Sequence, residues 1–228
     1  MKITLCLIVW NELGGCQIDV PNIPTKEFSE VIAIDGGSTD GTVEYLSSNG
    51  ITVYEQTKKG LNAAYVDANR FAKSDYVVVF FPKGTIPTSD LLKFKPLLQL
   101  GNDLVIASRQ IRGSTNEEDS AVLKPRKWGV FGLAVLTALI WKREGILIRD
   151  VLHGVKAWRR TAFDQMKILN YGLSIDLEMV VRSYRLKLKR VEFPTSETPR
   201  PHGETKFKIW PTGKKLVKYL LFELTRAA

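Results

Sequence analysis

Cysteine is scarce in this sequence. Its 228 residues include two cysteines, Cys6 and Cys16, in or just after an apolar N-terminal run. This is too few for a disulfide framework and fits a reduced, cytoplasmic compartment. A chain of this length can still bury one substantial hydrophobic core without such cross-links.

Long apolar runs are also missing. No run reaches the roughly 18 residues of a transmembrane helix, and the longest, 130–141, is bordered by Lys127 and Lys142. The N-terminal MKITLCLIVWNELGG has no small-residue cleavage site, so we interpret it as a buried first strand rather than a secretory signal.

Acidic residues are too few to balance the basic ones, and the net charge is +9. The segment 182–218 holds eleven Lys and Arg against three Glu, which is nearly the whole excess. Such a patch suits phosphates, nucleic acid or an anionic membrane, or is simply solvated. Because no nucleic-acid-binding motif or aromatic stacking platform accompanies it, we predict no nucleic-acid partner.

Short apolar runs alternate with helical patterns in the first half of the chain. Strands are predicted at 2–9, 30–34, 51–54, 75–81 and 103–108, with helices near 39–48, 61–73 and 89–100. This order predicts an α/β fold with a mostly parallel sheet and helices on both faces. Ligands of such sheets bind beyond the carboxyl ends of the strands, so the residues just after each strand are the site candidates.

The stretch VIAIDGGSTDGT, residues 31–42, places a carboxylate and a glycine pair at a strand end. Taken alone it is a turn followed by a capped helix. Together with WNE at 10–12 and KKGLNAAYVDANRFAKSDYVVVF at 58–80, it resembles the nucleotide-binding half of the family 2 glycosyltransferases. That resemblance implies a GT-A fold with a mixed central sheet.

The second half resembles the dolichyl-phosphate and polyprenyl-phosphate sugar transferases of that family. The matching blocks are LVIASRQIRGS (104–114), DVLHGVKAWRRTAF (150–163), GLSIDLEMVVRSYRLKLKRVEFP (172–194) and RPHGETKF (200–207). The resemblance implies transfer of a sugar from a nucleotide sugar to a lipid-phosphate acceptor. We predict a GT-A domain over 1–210, with a nucleotide-sugar half at 1–112 and an acceptor half at 113–210, and a basic amphipathic tail at 211–228.

The resemblance also implies site residues. The nucleotide-binding set is Asn11, Glu12, Asp35, Gly37, Ser38, Lys59 and Gly60. The basic positions expected to hold phosphates are Arg109, Arg112, Arg200 and Lys206, and we class the last two as catalytic. Arginine grips phosphate with paired donors, although a surface arginine can also be merely solvated. His153 stands where the family usually has a small hydroxyl residue, so it is either an acceptor contact or a structural imidazole.

One expected motif is absent from VVVFFPKGTIP, residues 77–87. In the family this strand ends in an Asp-x-Asp that holds a divalent cation against the donor diphosphate, whereas the matching residues here are Phe81 and Lys83. Phenylalanine cannot ligate Mg²⁺ or Mn²⁺, and an ammonium repels a cation. We therefore expect no cofactor, and the sequence does not support a divalent cation. Either Lys83 supplies the missing charge as a catalytic residue, or the site has decayed and binds a nucleotide without turnover.

The acceptor side leaves two further alternatives open. An ionised phosphate acceptor needs no general base, whereas a hydroxyl acceptor would, and Asp176 is then the catalytic candidate. Trp128 and Trp141 flank an apolar stretch that has cations beyond both of its ends. Two interpretations of 126–143 stay open, a helix that lies in the membrane interface and an ordinary core helix. We predict peripheral attachment to an anionic membrane surface, on its inner, cytoplasmic face.

Overall fold

The computed structural model describes residues 1–116, 119, 125–202 and 209–226. The strands of the described residues are β1 Ile3–Val9, β2 Glu30–Asp35, β3 Thr52–Glu55, β4 Tyr76–Phe80, β5 Leu104–Ser108, β6 Lys156–Arg159 and β7 Arg190–Pro194. They form one sheet in the order β3-β2-β1-β4-β6-β5-β7. Every neighbouring pair is parallel except those of β6, which runs antiparallel to both β4 and β5.

Helices cover both faces of this sheet. They are α1 Leu13–Asp19, α2 Thr42–Ser48, α3 Leu61–Phe71, α4 Phe94–Gln99, α5 Pro125–Trp141, α6 Arg160–Met166, α7 Ile175–Arg185 and α8 Ile209–Thr225. Short 3₁₀ turns lie at Val20–Asn22, Thr25–Glu27 and Thr88–Lys93. The α/β prediction with a mixed, mostly parallel sheet is confirmed.

The central part of the sheet is buried on both sides, which explains why β1, β4 and β5 are nearly continuous apolar runs. All seven residues of β1 are buried. Alternate side chains contribute to two hydrophobic clusters, one packed by α3, α5, α6, α7 and α8 and the other by α1, α2 and α4. Cys6 and Cys16 are buried thiols, one in each cluster.

The helix α8 joins the first of these clusters. Leu216, Tyr219 and Leu220 are buried in it, and Glu223 forms ion pairs of 3.1 Å with Arg182 and 2.8 Å with Arg185. The predicted boundary between domain and tail, at 210/211, therefore falls inside a helix that packs on the domain.

The topology brings several chain segments to one edge of the sheet. The carboxyl ends of β1, β2, β4 and β5 lie at this edge because these strands are parallel in space. Since β6 is antiparallel, its first residue, Lys156, pairs with Val79 and Ile106 near the ends of β4 and β5. The segment before β6, which includes His153 and Gly154, therefore belongs to the same edge. In the part of the chain that is described, no helix has the length and apolar character needed to cross a membrane.

Candidate active site

The loop after β2 is shaped by the carboxylate that begins it. Asp35 Oδ2 accepts hydrogen bonds of 2.9 Å from the backbone N–H groups of Gly37 and Ser38, and Oδ1 accepts one of 2.5 Å from Ser38 Oγ. Gly37 has a φ of +93°, a conformation that a side chain disfavours. The predicted nucleotide-binding carboxylate therefore organises its own loop, which leaves only its remaining lone pairs for a ligand.

The end of β1 is fastened to this loop. Asn11 donates its backbone N–H to Ser38 Oγ at 2.8 Å, and its side-chain Oδ1 accepts the Thr39 N–H at 2.7 Å. The next residue, Glu12, forms an ion pair of 2.9 Å with Arg200. Asn11, Glu12, Asp35, Gly37 and Ser38 thus form one structural unit, and the late-sequence loop that carries Arg200 reaches it.

Lys59 and Gly60 lie at the start of α3. Lys59 is exposed, and Gly60 has a φ of +120°. A Cβ at Gly60 would lie 2.9 Å from the carbonyl oxygen of Gly172, so the glycine is required by both its backbone conformation and this close approach.

Lys83 follows the carboxyl end of β4 and is half-buried. Its Nζ lies 4.7 Å from the centroid of the Phe81 ring, and no carboxylate of the described residues lies within 4.0 Å of it. Burial, followed by the charge of Arg200, lowers the pKa of Lys83 to about 8. The carboxylates that oppose this shift are those of Glu12, Glu197 and Asp176. Lys83 therefore lies near these four charged groups without being paired to any of them, and we call this group of side chains at the carboxyl edge of the sheet the cleft.

Arg109 is already occupied by carboxylates. It donates to both oxygens of Asp150, at 2.9 and 3.0 Å, and to Glu197 at 2.7 Å. Burial alone would raise the pKa of Asp150, but Arg109 outweighs burial and lowers that pKa to about 2. The same two carboxylates raise the pKa of Arg109 above its ordinary value against the effect of burial. This arginine can shape the cleft, but it has few donors left for a phosphate.

His153 is buried beside this group, 3% exposed, and neither of its ring nitrogens has a hydrogen-bond partner among the described residues. Burial lowers its pKa to about 4, and Arg109 acts in the same direction. The imidazole is therefore neutral near pH 7 and can offer a hydrogen bond but no charge to an acceptor.

Asp176, the candidate base, lies in the first turn of α7, beside a lysine that the sequence analysis did not identify. Lys156 is fully buried and donates to Asp176 Oδ1 at 2.6 Å and to the Asp176 carbonyl at 3.2 Å. The Tyr65 hydroxyl lies 3.4 Å from the same carboxylate. The only sequence signal for Lys156 was its position in a block that matched the family, because a lone lysine in an apolar stretch is usually an exposed residue.

Of the two remaining predicted basic residues, Arg112 is exposed, and Lys206 lies outside the described residues. The structure thus brings Lys83, Arg200, Asp176, Arg109 and His153 near one another, and the ion pair between Arg200 and Glu12 links them to the Asp35 loop.

The carboxylates around Lys83 do not fit a divalent-cation site. Asp19 accepts backbone N–H groups, including Gly84 at 2.8 Å, and the side chains of Glu12 and Asp176 are each paired with a cation. Within the described ranges, no three His, Cys, Asp or Glu side chains form a group that could hold a metal ion. An ammonium at the centre would repel such an ion. Absence of a cofactor requirement stays a prediction.

The family model for "Glycosyl transferase family 2" matches residues 10–167. The chain belongs to glycosyltransferase family 2. Among curated proteins it is 30% identical to the glycosyltransferase AglJ of Haloferax volcanii over 87% of this chain and 64% of that protein. It is 26% identical to the dolichol-phosphate mannosyltransferase of Pyrococcus furiosus over 96% of this chain and 62% of the relative. The chain thus spans less than two thirds of the length of both relatives.

A solved structure shows the same fold. The glucosyl-3-phosphoglycerate synthase of Mycobacterium tuberculosis, in complex with Mn²⁺, uridine diphosphate and glucosyl-3-phosphoglycerate, has a TM-score of 0.74 to this family 2 chain. The likeness covers the whole of this chain and 81% of the synthase, at 17% sequence identity. At that identity it supports the GT-A fold and no closer relationship.

Proposed function

We propose that this family 2 chain transfers a sugar from a nucleotide sugar to a polyprenyl phosphate or another lipid-linked acceptor at a membrane surface. The observation that carries the proposal is that Lys83, which has no carboxylate partner among the described residues, lies among the charged groups of the cleft, and one of these groups, Glu12, belongs to the unit around Asp35. Such a cleft suits a diphosphate, whose negative charge would be met by the Lys83 ammonium.

The donor binds against the Asn11–Asp35–Ser38 unit in this proposal. The ion pair of Arg200 with Glu12 links the predicted acceptor loop to the nucleotide side. In this proposal Arg200 contacts either the donor diphosphate or the incoming acceptor phosphate. Membership of the family and the dolichol-phosphate name of the Pyrococcus furiosus relative support this choice of donor and acceptor classes.

In the reaction, an oxygen of the acceptor phosphate attacks the anomeric carbon of the sugar. The bond between that carbon and the diphosphate oxygen breaks, and the nucleoside diphosphate leaves with the electron pair. Lys83 stabilises the growing negative charge on the leaving group, the role that a fixed cation performs in transition-state stabilisation. The acceptor is ionised near neutral pH, so no side chain has to remove a proton.

The membrane part of the proposal is supported by α5 and α8. Trp128, Phe131, Leu136 and Leu139 are exposed on α5 although its opposite face, with Ala134 and Ala138, is buried in the core. When a helix is apolar on both faces, we expect its outer face to contact another apolar surface. On α8, the exposed apolar residues Val217, Leu221 and Leu224 lie on the same helix as the exposed Lys214, Lys215 and Lys218, a combination that suits an anionic bilayer.

A hydroxyl acceptor with Asp176 as general base is the second candidate reaction. Its support is the position of Asp176 in the cleft, near Lys83. The contact with Lys156 at 2.6 Å argues against it, because the Lys156 ammonium already occupies one of the two carboxylate oxygens that could accept the proton of the hydroxyl.

A transfer assay tests the proposal. Labelled nucleotide sugars are supplied with a polyprenyl phosphate or with a hydroxyl acceptor, in EDTA or in Mn²⁺. We expect transfer to the lipid phosphate that survives EDTA, and Lys83→Ala should lower turnover about 100- to 1000-fold, the scale of losing one oxyanion donor. The matched control is Lys26→Ala, which removes an exposed lysine outside the cleft.

Four results would contradict the proposal or the role of Lys83 within it. Binding of a nucleotide sugar without any transfer would favour a non-catalytic scaffold. Transfer only to the hydroxyl acceptor would favour the second reaction. A strict requirement for Mn²⁺, or full activity of Lys83→Ala in EDTA, would remove Lys83 from the mechanism.

A further inference from the structure

The Phe81 ring packs directly against Gly154, where a larger residue would leave no room for it. A Cβ built on Gly154 would lie 2.6 Å from Phe81 Cε2, closer than real contacts allow. Gly154 does not have a positive φ, so its backbone conformation is open to other residues. The contact with the Phe81 ring is therefore what requires glycine at position 154.

The surroundings hold the ring from other sides as well. Phe81 packs against Tyr65, with ring centroids 6.4 Å apart, and Tyr65 donates its hydroxyl to the Gly154 carbonyl at 2.5 Å. These contacts link the strand end after β4 to the segment before β6. They give Phe81 a defined position in the cleft rather than a free surface rotamer.

Lys83, next to Phe81, is held both at its backbone and at its side-chain ammonium. Its backbone belongs to a loop fixed by Asp19, which accepts the Gly84 N–H at 2.8 Å. A Cβ on Gly15 would lie 2.2 Å from the Pro82 carbonyl, so α1 packs directly on this loop. At the other end, the Lys83 ammonium lies 4.7 Å from the Phe81 ring centroid, within the range of a cation–π contact.

We propose that Phe81 is a positioning residue whose ring face, seated against Gly154, holds the Lys83 ammonium in the cleft. The inference rests on the proposed role of Lys83 and extends it. Phe81 and Lys83, the residues that stand at the two aspartate positions of Asp-x-Asp, then act together, since Phe81 positions the charge that Lys83 provides. No other described cation near the cleft is held in this way, because Arg109, Lys156 and Arg200 each contact a carboxylate.

The contact has a measurable effect on protonation. An aromatic face favours the charged form of an amine, so removing it lowers the pKa of Lys83 below its value of about 8. The charged groups that also face Lys83 are Arg200, which lowers its pKa, and Glu12, Glu197 and Asp176, which raise it. These groups stay in place in Phe81→Leu. The smaller leucine also buries Lys83 less, which by itself would raise the pKa, so a fall in the pKa of that variant reports the loss of the aromatic face.

The experiment titrates lysines labelled with ¹³C at Cε by NMR, with Lys83→Gln used to assign the Lys83 signal. We expect Phe81→Leu to move the Lys83 titration to lower pH, whereas Phe81→Tyr, which keeps an aromatic face, leaves it near the wild-type position. Gly154→Ala should resemble Phe81→Leu, because the added methyl displaces the ring. In the transfer assay, Phe81→Leu should lower turnover about tenfold, and Phe81→Tyr should restore most of it.

The two readouts separate the inference from the proposed function. If the Lys83 titration in Phe81→Leu matches that of the wild type, then Phe81 does not hold the ammonium and the inference is wrong, whatever the turnover. If the titration shifts while turnover stays at the wild-type level, the positioning role in the reaction is wrong. Failure of the wild type to transfer any sugar overturns the proposed function, and the titration still decides the contact between ring and ammonium.

Discussion

At the scale of single residues, the described cations of the cleft differ in whether a carboxylate pairs with them. Arg109, Lys156 and Arg200 have carboxylate partners within 3.0 Å, whereas Lys83 contacts an aromatic ring. A carboxylate partner offsets part of the cost of burying a cation and occupies some of its hydrogen-bond donors. Charge in the cleft is therefore a poor guide to catalysis until the pairing of each group is known.

His153 gives a prediction about pH and stability. Its pKa is about 4 in the folded chain and about 6.5 when unfolded. Between these values the unfolded chain binds a proton that the folded chain does not, so stability falls as pH falls from about 6.5 to 4. Chemical denaturation should show that His153→Gln removes part of this loss, up to about 3 kcal/mol.

The control for this measurement is His202→Gln, which removes the other, exposed histidine. Arg109, Asp150, Glu197 and Lys156 all face His153, and Asp150 has a pKa of about 2, so its own titration lies below the window. An unchanged pH dependence of unfolding in His153→Gln would contradict the buried, neutral imidazole.

At the scale of elements, the sequence was a good guide where burial and pattern agree. The predicted strands at 2–9, 30–34, 51–54, 75–81 and 103–108 all exist. The pattern is clearest for β1, β4 and β5, because a strand buried on both faces is a nearly continuous apolar run. The predicted helix at 89–100 begins instead as a 3₁₀ turn, Thr88–Lys93, before α4.

The remaining site features could not be read from local pattern. β6 has only four residues and opens with the buried Lys156, whose partner Asp176 is distant in sequence. The engagement of Arg109 by Asp150 and Glu197 likewise depends on contacts between distant segments. The residue types and the match to the family predicted the residues of the cleft. Which of their charges pair with one another could be seen only in the folded structure.

The exposed face of α5 gives a prediction about membrane binding. Phe131 and Leu139 are 53% and 74% exposed, so Phe131→Ser with Leu139→Ser should leave the core intact. If this face inserts into the bilayer interface, the double variant should bind anionic vesicles at least about tenfold more weakly in flotation. Wild-type binding should also fall as salt screens the lysines of α8.

A matched control makes the same chemical change elsewhere. Leu92→Ser with Leu100→Ser alters two exposed leucines next to α4, which packs on the other face of the sheet. We expect this variant to float like the wild type. No enrichment of the wild type with anionic vesicles at low salt would contradict the interfacial role of α5.

At the scale of the whole molecule, two chain halves meet at the cleft, so a ligand there should stabilise the entire fold. Asn11 and Asp35 come from the first half, whereas Arg200 comes from the last 30 residues and pairs with Glu12. A nucleoside diphosphate bound between them would oppose the separation of these segments. Binding to the folded state alone raises apparent stability by mass action.

This linkage gives a prediction that requires no turnover and no acceptor. A nucleoside diphosphate with the preferred base, at about 100 times its Kd, should stabilise the chain by about 2.7 kcal/mol, which for this chain length is roughly 5 to 11 °C in Tm. If Lys83 replaces the metal, thermal shifts measured in EDTA and in Mn²⁺ should be equal. Phe81→Asp with Lys83→Asp rebuilds the acidic pair, and its shift should become dependent on Mn²⁺ if the ligands reach a suitable geometry. A wild-type shift that appears only with Mn²⁺ would show that the cleft binds its donor through a metal and that Lys83 has another role.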